Sequence, residues 1–231
     1  MDASELLVQH LQKYPLRVSK VVDIKPDDCL LHMDLTAGNS ELNPQLLKDV
    51  QAFDGWVTKK LNDSGCRYGV GGYMENRVIY ASREHFDTDA EPRSIHLGVD
   101  IWAAAGTPVY TPLDGIVHSF LDNDNFGDYG PTIVLQHDIA GLTLYSLYGH
   151  LNRASLNNLT VGQKVNSGQH IASFGNLDEN GNWPPHLHFQ LMLDMEGKKG
   201  DYPGVCRPSE KGRYLKNVPD PDILLQINNR L

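Results

Sequence analysis

From residue 66 to about residue 195 the chain never sustains a helical period. It runs as short apolar segments, TPVYTPLDGIVHSF, GPTIVLQHD, LTLYSLYGHL, GQHIASFG and HLHFQLML, each closed off by Gly, Pro, Asn or Asp. Short strands packed this closely, without amphipathic helices between them, point to a mainly β fold, an antiparallel β-sandwich or barrel. The polar, Gly-rich loops at 122–130 and 176–185 are placed to rim a site on such a scaffold. After residue 199 the sequence is too rich in Pro and Gly for regular structure and is expected to wrap the domain as a tail.

Upstream the texture is different. Leu6, Leu7, Leu11 and Tyr14 have helical spacing that stops at Pro15. Asn43 as cap and Pro44 as first residue announce a second helix, with Leu46, Leu47, Val50, Phe53, Trp56, Val57 and Leu61 on one side and an end near Gly65. VVDIKPDDCLLHMDL between them reads as a strand or extended segment. The chain therefore divides into a mixed, partly helical N-terminal extension, 1–65, and a β domain with its tail, 66–231.

Composition narrows the function classes. Twenty basic against 29 acidic residues leave a net charge of −9, which disfavours nucleic acid and anionic membranes as partners. No run approaches the roughly 18 apolar residues of a membrane span, and the N-terminus lacks a signal-peptide core, so the sequence as given reads as cytoplasmic, or as periplasmic or secreted if a leader was removed. Cys29, Cys66 and Cys206 are odd in number, widely spaced and in no C-x-x-C pattern, and are read as ordinary thiols.

The chemistry lies in the histidines. Three H-x-x-x-D matches occur, His85 with Asp89, His96 with Asp100 and His118 with Asp122, against roughly one expected by chance. The first lies in a polar loop and the third runs out of a strand into one. His96 and Asp100 can share one face of an extended segment, with Gly98 leaving room between them for an ion. His186 and His188, two apart on a strand, deliver two imidazoles to one side just after Pro184 and Pro185. Two neutral imidazoles and a carboxylate are a hydrolytic zinc set with a fourth position left for water, and unliganded imidazoles such as that of His150 could move the proton.

Four ordered blocks, HLGVDIWAAAGTPVYTPLDGIV at 96–117, LYGHL at 147–151, VGQKVNSGQHIASFG at 161–175 and PHLHFQL at 185–191, resemble the lysostaphin-type zinc metallopeptidases. The resemblance covers about residues 69–195. It implies an antiparallel β-sandwich metallopeptidase domain holding one zinc ion. It implies His96, Asp100 and His188 as the ligands, and His150 and His186 as the catalytic pair that assists the attacking water and stabilises the intermediate. The expected substrate is a peptide, of the kind found in bacterial peptidoglycan, reached along an open groove; the oligomeric state is left open. The segments at 69–80 and 203–225 look like a subgroup whose modules also occur beside phosphotransferase and aminotransferase domains.

Two other functions compete. A non-enzymatic binding or regulatory module could use the same fold. The turn GQKVNSGQHIASFG also resembles phosphocarrier or lipoyl-like domains, but no well-placed lysine accompanies it. For residues 1–65, packing against the domain competes with a latency role in which an Asn or Asp side chain would cover the metal. Tyr73, Arg77, Trp102, Tyr148 and Trp183 are candidates for the groove, with Trp102 and Tyr148 reading equally as core residues; His10, His32, His137 and His170 are given no role.

Overall fold

A computed structural model describes residues 1–80 and 91–231. Helix α1 (Ala3–Lys13) begins at Asp2, whose carboxylate accepts from the Glu5 amide while the Glu5 side chain accepts from the Asp2 amide. The expected second helix is two. Helix α2 (Pro44–Lys48) stops at Asp49, and Asp49 at once caps helix α3 (Val50–Ser64), its carboxylate accepting from the Ala52 amide. Gly65 closes α3 in the left-handed conformation at φ 69°.

The strands are β1 (Leu30–His32), β2 (Tyr68–Gly71), β3 (Ile95–His96), β4 (Val99–Trp102), β5 (Pro108–Tyr110) and β6 (Gly115–Asn123). They continue with β7 (Gly130–Ile139), β8 (Leu142–Gly149), β9 (Lys164–Val165), β10 (His170–Ser173), β11 (His186–Met192) and β12 (Val205–Cys206). Among the described residues, the main sheet runs β1-β2-β4-β11-β8-β7-β6-β9, and β5–β10 and β3–β12 form two small antiparallel pairs. All its pairings are antiparallel except β1–β2, where Leu30, Leu31 and His32 lie beside Tyr68, Gly69 and Val70 in parallel. The mainly β architecture and the helical N-terminal part agree with the sequence. The tail is more regular than expected: β12 pairs with β3, and short helices follow at Lys211–Tyr214 and Asp222–Leu225.

The core has three parts. Ile101, Ile133, Leu135, Tyr148, Leu187 and Phe189 fill the main one, to which Leu7, Val21 and Val22 of the N-terminal segment also belong. A second joins Phe53 and Val57 of α3 to Met33, Leu35, Trp102 and Trp183. The third gathers Tyr129, Leu147, Met192, Tyr202 and Tyr214 under the tail. Residues 1–65 thus pack against the β domain through apolar side chains.

The cysteine reading is corrected. Cys29 and Cys66 form a disulfide across 37 residues of sequence, fastening the approach to β1 to the approach to β2, and only Cys206 is a buried free thiol. Linear spacing gave no sign of it because the parallel β1–β2 pairing, which brings the two residues together, is itself non-local. Among the described residues, no helix is long and apolar enough to cross a membrane.

Candidate metal centre

Strand register assembles the site. On β4 and β11, His188 is directly opposite Asp100 and His186 directly opposite Trp102. Side chains two apart on a strand share a face. One face of this pair therefore carries Asp100, Trp102, His186 and His188. His96 arrives on β3, whose partner is Val205 on β12, so the tail strand holds this histidine in place. Between His96 and Asp100 sits Gly98, where a Cβ would fall 2.7 Å from Cε1 and Nε2 of His188 and 2.7 Å from the Phe189 carbonyl oxygen. The glycine does make room, as expected, but the room is taken by the His188 ring.

His150 follows the end of β8 in the left-handed conformation, φ 61°, and its amide donates to the Tyr129 carbonyl. Preceding it, Gly149 is a close-approach glycine, since a Cβ there would lie 2.6 Å from the Tyr129 ring. This bend turns His150 in beside His186, with ring centroids 4.1 Å apart and planes at 32°. The His186 ring also stacks on Trp102 at 4.1 Å and 20°. Trp102 in turn meets Phe53 of α3 edge-on at 6.4 Å, so the N-terminal extension supports the floor of the site.

Each of the four imidazoles at the site has its ring proton accounted for. Nδ1 of His96 lies 2.9 Å from the Gly72 carbonyl, that of His186 2.7 Å from the Pro184 carbonyl, and that of His150 2.8 Å from the Asn180 carbonyl. A carbonyl only accepts, so each Nδ1 carries the hydrogen and leaves Nε2 bare. His188 is reversed, its Nε2 donating to Gln190 Oε1 at 2.9 Å and its Nδ1 facing the site. Tyr129 Oη lies 3.3 Å from the same Nε2.

Three lone pairs therefore converge. His188 Nδ1 is 3.0 Å from His96 Nε2 and 3.0 Å from Asp100 Oδ1, and His96 Nε2 is 3.2 Å from that oxygen. These three residues, all buried, are the group among the described residues that could hold a metal ion. With the ring protons engaged elsewhere, no hydrogen remains between the three atoms to relieve their repulsion. A cation fits there, and the imidazole-carboxylate donor set suits zinc.

The electrostatics agree. Burial pushes His96 down to about 3 and His186 to about 4, and pushes His150 well below the ordinary imidazole value, with the neighbouring imidazole of His186 adding to the effect. Burial alone would raise Asp100, but His96, the Arg77 guanidinium and His186 hold its carboxyl well below the usual carboxylate range. Neutral imidazoles around an ionised carboxylate are the protonation states that a divalent cation requires.

A cavity of about 150 Å³ opens over these groups, lined by Asp100, His150, His186 and His188 together with Trp102 and Trp183. The five residues singled out from the sequence, His96, Asp100, His150, His186 and His188, come together. His118 and Asp122 do not join them: His118 Nδ1 bonds Ser119 Oγ, and Asp122 pairs with Arg153 at 3.0 Å. His85 and Asp89 lie outside the described residues. Of the groove candidates, Trp102 and Trp183 line the cavity, whereas Tyr148 is core and Tyr73 donates to the Val218 carbonyl. Arg77 lies behind Asp100, ion-paired with it. Gln190 and Tyr129 were missed; Gln190 had a signal, its i+2 spacing from His188 on one strand face, and Tyr129 lies in the 122–130 loop expected to rim the site, where nothing singled out the residue itself.

Residues 94–201 match peptidase family M23. The peptidoglycan DD-endopeptidase ShyA of Vibrio cholerae is 30% identical over 150 residues, which cover 59% of this chain and 32% of that protein. The L-Ala–D-Glu endopeptidase of Bacillus subtilis is 31% identical over 132 residues, 54% of this chain and 38% of that one. The catalytic domain of lysostaphin from Staphylococcus simulans is 24% identical with a TM-score of 0.41, over 69% of this chain and 97% of that domain. The chain spans about a third of the length of these two curated relatives, 32% and 38%.

Proposed function

Residues 94–201 form a peptidase family M23 domain, and from that premise we propose that the chain is a zinc metalloendopeptidase hydrolysing peptide or amide bonds of peptidoglycan-type peptides. The observation that carries the reading is the convergence of three bare acceptor atoms at 3.0–3.2 Å with two further neutral imidazoles alongside. His96, Asp100 and His188 would hold the ion, which supplies Lewis acidity to a water and to the scissile carbonyl.

His186 and His150 supply the proton handling. Their Nε2 atoms are bare because Pro184 and Asn180 hold the Nδ1 protons, so either can accept the proton of an attacking water. The two rings lie close enough that a charge on one opposes a charge on the other. They therefore carry one proton between them, available first to steady the oxyanion and then to be delivered to the leaving amine. Trp102, stacked on His186, fixes the ring plane and keeps water from that face.

The names of the two curated relatives, a peptidoglycan DD-endopeptidase and an L-Ala–D-Glu endopeptidase, support a peptidoglycan-type peptide as substrate. The Cys29–Cys66 disulfide favours an oxidising compartment over the cytoplasm as the working location. The test is incubation of the zinc-loaded chain with purified peptidoglycan and mass analysis of the released fragments. New amine and carboxylate ends that stop appearing on chelation and return with zinc are expected. Intact substrate under all conditions, from a protein that holds zinc, would favour a binding module on the same fold.

A further inference from the structure

Arg77 is a charged residue only 2% exposed, and nothing in the proposed hydrolysis uses it. Its guanidinium is bound on three sides: Nε donates to Glu75 Oε2 at 2.7 Å, and Nη1 donates to Tyr80 Oη at 3.2 Å and to Asp100 Oδ2. Its backbone is tied as well, with the amide on the Ser94 carbonyl and a bridge to Thr36. Gly71, the β2 residue opposite Asp100, gives it passage, because a Cβ there would lie 2.5 Å from Nη2. A buried guanidinium held on this many sides is fixed in position relative to the group that it meets.

That group is Asp100, whose two oxygens are divided. Oδ1 faces His96 Nε2 and His188 Nδ1, and Oδ2 faces Arg77. We propose that Arg77 is a positioning residue that keeps Asp100 a one-oxygen ligand and partly neutralises it, weakening zinc binding while leaving the bound ion a stronger Lewis acid. The inference rests on the zinc reading above. Partners behind the ligands commonly set metal affinity, and here the direction comes from the positive charge of the partner itself. Two consequences follow from charge alone. Arg77 repels a cation in the site, and without it Asp100 would be a buried carboxylate with both oxygens free to turn to the metal. Glu75 acts oppositely, because it offsets the charge of Arg77.

The test uses the full chain and its Arg77→Met and Glu75→Gln variants. Zinc affinity is read by competition with a chromophoric chelator, and coordination number from the visible spectrum of the cobalt(II)-substituted protein. Arg77→Met should bind zinc about tenfold more tightly, give the weaker cobalt absorption of five-coordination, and lose kcat at unchanged KM. Glu75→Gln, which keeps an acceptor for Arg77 Nε, should bind zinc several-fold more weakly and keep the wild-type cobalt spectrum. If Arg77→Met does not fold, the shift in Glu75→Gln decides. Zinc affinity and spectrum in the variants that match the wild type, or zinc lost together with the fold in Arg77→Met while Glu75→Gln is unchanged, would make Arg77 a packing residue. A wild type that binds no zinc would overturn the function reading itself.

Discussion

Adding one methyl group at Gly98 probes the site without replacing any residue that carries the chemistry. The Cβ of an alanine would lie 2.7 Å from Cε1 and Nε2 of His188 and from the backbone oxygen of Phe189, whereas ordinary contact begins near 3.4 Å. The carbonyl belongs to a central strand, so the backbone at residue 98 and the imidazole must together give by about 0.7 Å, several times the roughly 0.2 Å tolerance of a metal-ligand distance, and His96 two residues away is drawn along. That movement also pulls Nε2 away from Gln190 Oε1, which fixes the tautomer. Zinc affinity should fall by about two orders of magnitude, and overpacking should lower stability by about 1–3 kcal/mol. Chelator competition reads the first and thermal unfolding without metal the second. Gly55→Ala is the control, for nothing lies within 4 Å of that added atom, and replacing a helical glycine should raise stability by up to about 1 kcal/mol. Wild-type zinc affinity in Gly98→Ala would refute the packing of His188 against Gly98.

Other outcomes follow from the same geometry. His150→Ala and His186→Ala should each retain zinc and lose about 10²-fold or more in turnover; loss of metal in His150→Ala would contradict its role outside the ligand set. His96 and His186 sit at about 3 and about 4 in the folded chain, below the usual imidazole value near 6.5. Their contribution to stability is therefore complete above about pH 6.5 and lost as the pH falls toward 4, since the unfolded chain takes up protons first. Because the unfolded imidazoles go from half to about nine-tenths protonated over this range, each group costs about 1 kcal/mol, so the metal-free protein should lose about 2 kcal/mol between pH 6.5 and 5.5, and a flat denaturation midpoint over that range would contradict buried neutral imidazoles. Replacing Cys29 and Cys66 by serine removes a cross-link over 37 residues and should cost about 3–4 kcal/mol in denaturant titrations; an unchanged midpoint would mean that the bridge does not form.

What the sequence disclosed was whatever repeats along it or lies close within it. Strand alternation made the β domain legible, and the pair His186 and His188 announced a shared face because two residues span one period of a strand. What it hid was non-local. The parallel pairing of β1 with β2 joins residues nearly forty positions apart, so the Cys29–Cys66 bridge had no linear signature. The division of Asp100 between a metal-facing oxygen and Arg77 likewise depends on a chain crossing. Tyr129 reaches His188 only because Gly149 lets its ring approach β8. Asp49 could have been read as a cap, but the apolar spacing of Leu46, Leu47, Val50 and Phe53 continues across it and masks the break between α2 and α3.

The central claim is that His96, Asp100 and His188 hold one zinc ion, and elemental analysis of the purified chain beside its His188→Ala variant tests it most directly. Near-stoichiometric zinc in the wild type and almost none in the variant is the predicted result. No metal in either protein after zinc has been supplied, or undiminished zinc in the variant, would contradict it.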